Sequence, residues 1–94
     1  MKVRYTKRAF NDREQILEYL QKQSRPGARN VSARLEAATV LLSKQPLAGM
    51  STDVPDVRVL FVGRYPYKVF YRVRGGTLEI LHIRHTSRTP RWQE

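Results

Sequence analysis

The side chains best suited to chemistry lie in the last third of the chain, where cationic groups occur together with histidines. Between Val57 and Leu78 there is no acidic residue, and the basic residues are Arg58, Arg64, Lys68, Arg72 and Arg74. The closing segment adds His82, Arg84, His85, Arg88 and Arg91, against Glu79 and Glu94. An imidazole with an ordinary pKa of about 6.5 can donate or accept a proton at neutral pH, and cationic groups stabilise developing negative charge. These residues predict a surface that meets a negatively charged partner.

The composition narrows the classes of partner and of site. A net charge of +10 over 94 residues favours a nucleic acid, an acidic protein or an anionic membrane surface. We expect no membrane contact, because no segment approaches the roughly 20 apolar residues that span a bilayer and no helix has a wide apolar face opposite Lys and Arg. Cysteine is absent, and His82 and His85 are too few for a metal site without further ligands. With no apolar stretch fit for a signal peptide, we expect one cytoplasmic domain that needs no cofactor.

Helices are predicted in the first half of the chain. Residues 7–23 carry an apolar stripe with a spacing of roughly 3.6 residues, formed by Ala9, Phe10, Ile16, Leu17 and Leu20. Residues 24–27, with the sequence Ser-Arg-Pro-Gly, predict a break. The next helix is expected from its stripe of Ala28, Val31, Leu35, Ala38 and Leu42 and ends near Pro46. Together the helices form a hairpin that must bury its apolar faces against another layer.

Strand-like segments flank this helical hairpin. Residues 3–6 predict a short first strand, residues 47–56 a loop, and residues 57–62, 67–73 and 78–85 the remaining strands. Gly75 and Gly76 are typical of a tight turn between the last two, since glycine accepts the positive φ of primed turns. The order β-α-α-β-β-β predicts an α+β domain, a helical hairpin packed on one face of a small antiparallel sheet.

Strand alternation predicts which side chains share a face of this sheet. In residues 67–73 it groups Tyr67, Val69, Tyr71 and Val73 against Lys68, Phe70 and Arg72. In residues 78–85 it groups Leu78, Ile80, His82 and Arg84 against Glu79, Leu81, Ile83 and His85.

The order of elements and three sequence motifs together resemble the RelE/ParE superfamily of bacterial toxins, and the resemblance spans nearly the whole chain. The motifs are Ala9-x-x-Asp12 with Tyr19 further on, the aromatic-basic strand of residues 67–72, and His85-Thr86-Ser87-Arg88 after a β-branched strand. The resemblance implies the toxin of a type II toxin–antitoxin pair, neutralised by an antitoxin whose extended C-terminal segment wraps it. RelE-like members cut messenger RNA in the ribosomal A site, whereas ParE-like members inhibit DNA gyrase.

The nuclease alternative requires a base for the 2′-OH, cations for the phosphorane and an acid for the leaving oxygen. By resemblance to the nucleases, Lys68, His85 and Arg88 are the candidate catalytic residues. The chain departs from the nuclease pattern before residue 67, where it has Asp53, Asp56 and Arg58 but no lysine. It also has Trp92, outside the strands, where the nucleases commonly have a Tyr or Phe near the site.

The ParE-like alternative is favoured by the Tyr65-Pro66-Tyr67 hairpin and by the tail that begins at His85. A toxin that acts through protein contacts with gyrase needs exposed arginine and aromatic anchors, the residue types enriched in interface hot spots. The candidate target-binding residues are Arg84, Arg88, Arg91 and Trp92. Enzymatic activity is not expected of such a toxin.

A further alternative is a non-catalytic RNA- or DNA-binding module, which positive charge alone permits. A stacking platform needs several aromatics on one exposed sheet face. Alternation leaves Phe70 as the one aromatic between Lys68 and Arg72, which argues against this alternative.

The expected protein partner is a cognate, ParD-like antitoxin with an acidic, amphipathic C-terminal segment, since acidity complements the charge of +10 and speeds association. Apolar residues left over from the helical hairpin offer a groove for such a segment. The candidate antitoxin-binding residues are Leu17, Tyr19 and Leu41.

Overall fold

The computed structural model describes residues 1–86 of the 94-residue chain. In chain order its elements are β1 (Lys2–Tyr5), α1 (Lys7–Gln23), α2 (Arg25–Lys44), β2 (Met50–Ser51), β3 (Arg58–Phe61), β4 (Tyr67–Arg74) and β5 (Thr77–His85). The helices pack on one face of a single five-stranded sheet whose order is β1-β5-β4-β3-β2. The predicted α+β architecture is confirmed.

Ser24 alone separates the two helices. Its backbone N–H donates to the Leu20 carbonyl at 2.7 Å and ends α1, while its hydroxyl accepts from the Gly27 N–H at 3.1 Å and begins α2. The second helix therefore starts at Arg25, earlier than expected, because Pro26 in the first turn has no N–H to lose there. Within the described residues, no helix is long and apolar enough to cross a membrane.

The sheet is mixed, because β1 runs parallel to β5 and pairs Val3 with Leu78 and Tyr5 with Ile80. The pairs β5–β4 and β4–β3 are antiparallel, as predicted for the C-terminal strands, and the unpredicted pair β3–β2 is antiparallel too. No hairpin joins β1 to β5, so turn geometry does not set their relative direction. The short β2 lies inside the segment that was expected to be a loop.

The core lies between the helices and the sheet. All five residues of the predicted α2 stripe are buried, and Leu35 and Leu42 are 1% and 0% exposed. They meet the apolar face of β4 and β5, formed by Tyr67, Val69, Tyr71, Leu78, Ile80 and Ile83. The predicted facing of the buried β4 residues 67, 69 and 71 is therefore confirmed.

Tyr71 ties the segment after α2 to the sheet. Its side chain is 0% exposed, and its hydroxyl donates to the Pro46 carbonyl at 2.8 Å and accepts from the Gly49 N–H at 2.9 Å. A Cβ at Gly49 would lie 2.7 Å from that hydroxyl and 2.8 Å from the Val59 carbonyl oxygen. Glycine is required at position 49 because no side chain fits there.

A β-bulge interrupts β5 opposite the Phe70–Tyr71 step of β4. Phe70 pairs with His82 while Tyr71 pairs with Ile80, so Leu81 is the extra residue. The predicted grouping of His82 and Arg84 with Leu78 and Ile80 is therefore wrong. One extra residue moves everything after it to the other face, and His82 and Arg84 lie beside Phe70 and Lys68 instead.

Candidate functional site

The face of the sheet turned away from the helices, here called the outer face, collects the polar side chains of β4 and β5. Its β4 residues are Lys68, Phe70 and Arg72, and its β5 residues are Glu79, His82 and Arg84. Strand pairing sets Lys68 beside Arg84, Phe70 beside His82, and Arg72 beside Glu79. The outer face thus has two ends with different charge.

One end, here called the cationic end, consists of Lys68, Phe70, His82 and Arg84, with Arg8 of α1 close by. The rings of Phe70 and His82 stack with centroids 4.4 Å apart and an angle of 6° between their planes. The Lys68 Nζ lies 5.6 Å from the centroid of the Phe70 ring, and the Arg84 Cζ lies 5.2 Å from it. Cations within about 6 Å of an aromatic face are attracted by its negative charge density, so the Phe70 ring holds these side chains together.

His82 is uncharged at neutral pH in this environment. Burial is the largest cause that lowers its pKa, and the positive charges of Arg8, Arg84 and Lys68 add to it, bringing the pKa to about 4. Its Nδ1 is buried and has no hydrogen-bond partner among residues 1–86. An imidazole held neutral and stacked on Phe70 acts here as a flat packing surface.

The other end, here called the paired end, consists of Arg4, Arg72 and Glu79. The Arg72 Nε donates to Glu79 Oε1 at 2.9 Å, and the Arg4 guanidinium donates to Glu79 Oε2. These hydrogen bonds, first from Arg72 and then from Arg4, lower the pKa of Glu79. The carboxylate thereby joins β1, β4 and β5.

Asp12 of α1 borders the cationic end from the side. Its Oδ2 accepts a hydrogen bond from the backbone N–H of Ile83 at 3.1 Å. This N–H lies beyond Ile80, the last β5 residue that pairs with β1. Burial raises the pKa of Asp12, while that hydrogen bond and the charges of Arg8 and Arg84 lower it. Thr6 acts beside it, donating from its hydroxyl to the Ile80 carbonyl at 2.8 Å and to the Leu81 carbonyl at 3.1 Å.

The candidate catalytic residues Lys68 and His85 lie on opposite faces of the sheet. Lys68 belongs to the outer face, whereas His85 pairs with the buried Tyr67, its ring 5.5 Å away at 82°. Arg88, the third member of the set, lies outside the described residues. The sheet therefore lies between Lys68 and His85, the two described members of the candidate catalytic set.

Comparison with known protein families shows which family this chain belongs to. A family model described as "ParE toxin of type II toxin-antitoxin system, parDE" matches residues 3–90. The chain belongs to the ParE toxin family. It is 30% identical over 84 residues to the "Putative toxin Y4kP" of Sinorhizobium fredii (strain NBRC 101917 / NGR234). The aligned region covers 89% of this chain and 86% of that protein.

The ParE fold is also evident from a solved structure, described as "Chromosomal ParDE TA system from P. aeruginosa". It superposes with a TM-score of 0.81 and 26% sequence identity, covering 93% of this chain and 97% of the other. As a ParE toxin of a type II toxin–antitoxin system, the protein has an antitoxin as its partner.

The target-binding residues predicted for this ParE toxin are only partly described by the structure. Arg84 lies in the cationic end, where its guanidinium faces the Phe70 ring. Arg88, Arg91 and Trp92 lie outside the described residues 1–86. The four residues stay a prediction.

The predicted antitoxin-binding residues of the ParE toxin lie in separate places. Leu41, 40% exposed, lines a groove of about 140 Å³ between α2 and β3 with Arg34, Ala37 and Phe61 among its walls. Leu17 lines a wider cleft of about 450 Å³ between α1 and α2. Tyr19 is 58% exposed on α1.

Sequence analysis missed two parts of the cationic end, namely Arg8 and the stacking of Phe70 on His82. A signal for the stacking was present, because Ile80 and Leu81 are adjacent apolar residues and Ile83 follows at a spacing of three from Ile80. Such a break in the period of two is typical of a bulge. No local pattern predicts that Arg8, more than seventy residues earlier in the chain, lies near His82.

Proposed function

We propose that this ParE toxin stops growth by inhibiting DNA gyrase, and that a ParD-like antitoxin neutralises it in the cytoplasm. The observation that carries the choice of gyrase over messenger RNA is the placement of Lys68 and His85 on opposite faces of the sheet. Metal-free RNA cleavage needs a proton-transfer group beside the cations that stabilise the phosphorane.

The remaining histidine does not supply that group. His82 does lie among the cations, but its pKa of about 4 makes it a weak base, and its ring is stacked on Phe70. A general base works best with a pKa near the working pH. A role in binding a target fits the outer face better than a role in bond cleavage.

A gyrase assay tests the proposal. Purified toxin should inhibit supercoiling and increase the cleaved DNA that gyrase leaves, and the variant with Arg88, Arg91 and Trp92 all changed to Ala should need roughly tenfold more protein, as for hot-spot residues. Arg74→Ala is the matched control, since Arg74 is exposed at the far end of β4. In cells we expect filamentation with a DNA-damage response.

A different result would reverse the choice of target. If gyrase is unaffected while ribosome-primed translation shows cut messenger RNA and cells stop translating, the RelE-like nuclease function replaces the gyrase proposal.

We propose that the antitoxin binds through an acidic, amphipathic segment that covers the exposed apolar side chains of the helices. The groove at Leu41 places that apolar side chain and Phe61, 50% exposed, beside the guanidinium of Arg34. The cleft at Leu17 is bordered in the same way by Arg25 and Arg29. Apolar anchors next to cations complement a helix that has an apolar face and acidic flanks.

Paired substitutions on α2 test this surface. Leu41→Glu should weaken binding of the co-expressed antitoxin by roughly tenfold or more, because it puts a like charge where an apolar anchor docks. Val40→Glu is the matched control, since Val40 is 49% exposed on the same helix but does not line the groove. Calorimetric titration of each variant with purified antitoxin measures the difference. Equal affinities for both variants would remove Leu41 from the interface.

A further inference from the structure

The outer face carries an apolar row that runs across four strands. Strand pairing sets Met50 of β2 beside Val59 of β3, Val59 beside Phe70 of β4, and Phe70 beside His82 of β5. Paired residues of antiparallel strands project to the same side of a sheet, so these four side chains, here called the apolar row, lie together on the outer face. With strands about 4.8 Å apart, the row is roughly 14 Å long.

The packing of the helices does not account for this row. Val59 is 8% exposed, yet among the described residues it is not a member of the core cluster that packs between the helices and the sheet. Met50, at the edge of the sheet, is 59% exposed. The uncovered face of an antiparallel sheet is normally polar, and a contiguous apolar patch on a surface is typical of an interaction site. The row therefore indicates a surface that a partner covers.

The row itself is uncharged at neutral pH, and charged side chains border it. Burial, followed by the neighbouring positive charges, lowers the pKa of His82 to about 4, so its ring is neutral where it stacks on Phe70 at 4.4 Å. Two residues from Phe70 along β4, on either side, lie Lys68 and Arg72, and Arg72 pairs with Glu79. An apolar centre with a polar rim is the usual arrangement of a protein–protein interface.

The chemistry of the row favours a protein partner over a nucleic acid. Met50 and Val59 are aliphatic and offer no ring on which a base could stack. The ring of Phe70 is already stacked on His82, and the Lys68 Nζ lies 5.6 Å from its centroid. Methionine and aromatic side chains are enriched at protein interfaces. The row is therefore suited to apolar contact with another protein.

The rim indicates the charge of that partner. Lys68 forms no ion pair with a carboxylate of residues 1–86, and the whole chain has a formal net charge of +10. Complementary potentials speed association and exclude wrong partners, so we expect carboxylates beside the apolar strip of the partner. The outer face also holds Arg84, the described member of the predicted target-binding set. The proposed antitoxin surface, by contrast, lies on the helices, at Leu41 and Leu17.

We propose that the outer face, centred on the apolar row, is the surface through which this toxin binds its protein target. The target presents an apolar strip bordered by carboxylates. The inference rests on the proposed function, because the toxin must act by binding a protein, which in that proposal is gyrase. Met50 is the member of the row best suited to a test, since it is exposed at the edge of the sheet and takes no part in the ring stack.

Charge substitutions at Met50 test this surface. Met50→Glu should raise the concentration of toxin that half-inhibits gyrase supercoiling roughly tenfold, as for a hot-spot residue, because it removes an apolar contact and repels carboxylates. Met50→Lys removes the same contact but attracts carboxylates, so its loss should be smaller. Phe10→Glu is the matched control, since Phe10 is 52% exposed on α1 and borders a groove with Thr39 of α2. Its potency should stay within about twofold of wild type, and thermal melting checks that each variant is folded.

Further titrations distinguish the target from other partners. Calorimetry with purified antitoxin should give Met50→Glu the same affinity as Phe10→Glu, which carries the same added charge. Anisotropy of a short fluorescent DNA duplex should likewise give equal affinities for these two variants. A larger loss for Met50→Glu in either titration would assign the row to the antitoxin or to DNA and overturn the proposal.

Failure of the surface can be told apart from failure of the gyrase proposal. If wild-type toxin inhibits gyrase but Met50→Glu is equally potent, or Phe10→Glu loses as much, the surface is overturned and the gyrase proposal stands. If wild-type toxin does not inhibit gyrase, growth inhibition in cells decides. Loss of growth inhibition with Met50→Glu and not with Phe10→Glu keeps the surface and removes gyrase as the target, whereas any other result overturns both. A weaker toxin with Met50→Lys than with Met50→Glu would contradict the carboxylates of the partner.

Discussion

Both ends of the outer face carry cationic side chains, and the ends differ in what those cations face. At the paired end, Glu79 lies between Arg4 and Arg72 and accepts hydrogen bonds from both. At the cationic end, the cross-strand neighbours Lys68 and Arg84 face an aromatic stack instead. The paired end therefore joins three strands through a carboxylate, while the cationic end is held together by aromatic rings.

The contrast shows that net charge alone does not locate a binding surface. Arg4 and Arg72 count toward the charge of +10 as fully as Lys68 does, yet their hydrogen bonds are already used within the fold. What matters is which cations the fold already uses in its own hydrogen bonds and ion pairs.

The largest expected effect on stability comes from removing the hydroxyl of Tyr71, because its strand contributes residues to both ends of the outer face. Tyr71 is a buried residue of β4, and Tyr71→Phe would leave the Gly49 N–H and the Pro46 carbonyl without the hydroxyl. We expect the free energy of unfolding to fall by about 2 kcal/mol, because buried polar groups that lose a partner are costly. Urea denaturation measures this, with the exposed Tyr19→Phe as control, expected within about 0.5 kcal/mol of wild type. A Tyr71→Phe protein as stable as wild type would show that this hydroxyl is not a support.

The next effect concerns the stability that Glu79 gives to the paired end, which we expect to depend on pH. Hydrogen bonds lower the pKa of Glu79 from its ordinary value of 4.5, so its stabilisation is present above pH 4.5 and is lost as the pH falls through the lowered pKa. Glu79→Gln should melt at a lower temperature than wild type at neutral pH, and the difference should vanish in strong acid. Glu14→Gln is the control, since Glu14 is exposed and forms an ion pair with its sequence neighbour Arg13. A difference that persists unchanged in strong acid would assign the effect to packing and not to charge.

The effect that is smallest at neutral pH lies at the cationic end, and it grows as the pH falls below 6.5. The folded structure lowers the pKa of His82 from its ordinary 6.5 to about 4, so between these values the unfolded chain gains a proton that the folded chain does not. Stability should therefore fall as the pH drops from 6.5 towards 4, and His82→Phe should remove this part of the profile. NMR titration of the imidazole measures the pKa directly, and Lys68→Gln should raise it by removing one positive charge. Titration of His82 near 6.5 in the wild-type protein would contradict the burial of its ring among cations.

Much of the fold could be predicted from local patterns. The stripe of α1 gave residues 7–23, and α2 ends before Pro46 as expected. The turn at Gly75 and Gly76 is also as predicted, with φ of 59° and 78°. The start of α2 was misplaced because Ser24 caps both helices. The direction of β1 was missed because it depends on a strand more than seventy residues away.

The candidate site was less accessible to sequence reasoning, for one physical reason. The sequence analysis assumed that side chains alternate between the two faces along all of β5. The bulge at Leu81 reverses the face on which every later residue of β5 lies. That error separated Arg84 from Lys68 and left Phe70 without His82, so the outer face appeared to have a single aromatic. Arg8 could not be found at all, because it belongs to a helix and the packing of α1 on β5 is what brings its charge near His82.

The parallel pairing of β1 with β5 has a consequence for the timing of synthesis. Residues 2–5 pair with residues 77–80, so β1 has no partner until β5, more than seventy residues further along the chain, has been synthesised. A chain cut short before that point cannot close its sheet. Because contacts between distant parts of a sequence also slow folding, a newly made toxin passes through an interval without its finished surface.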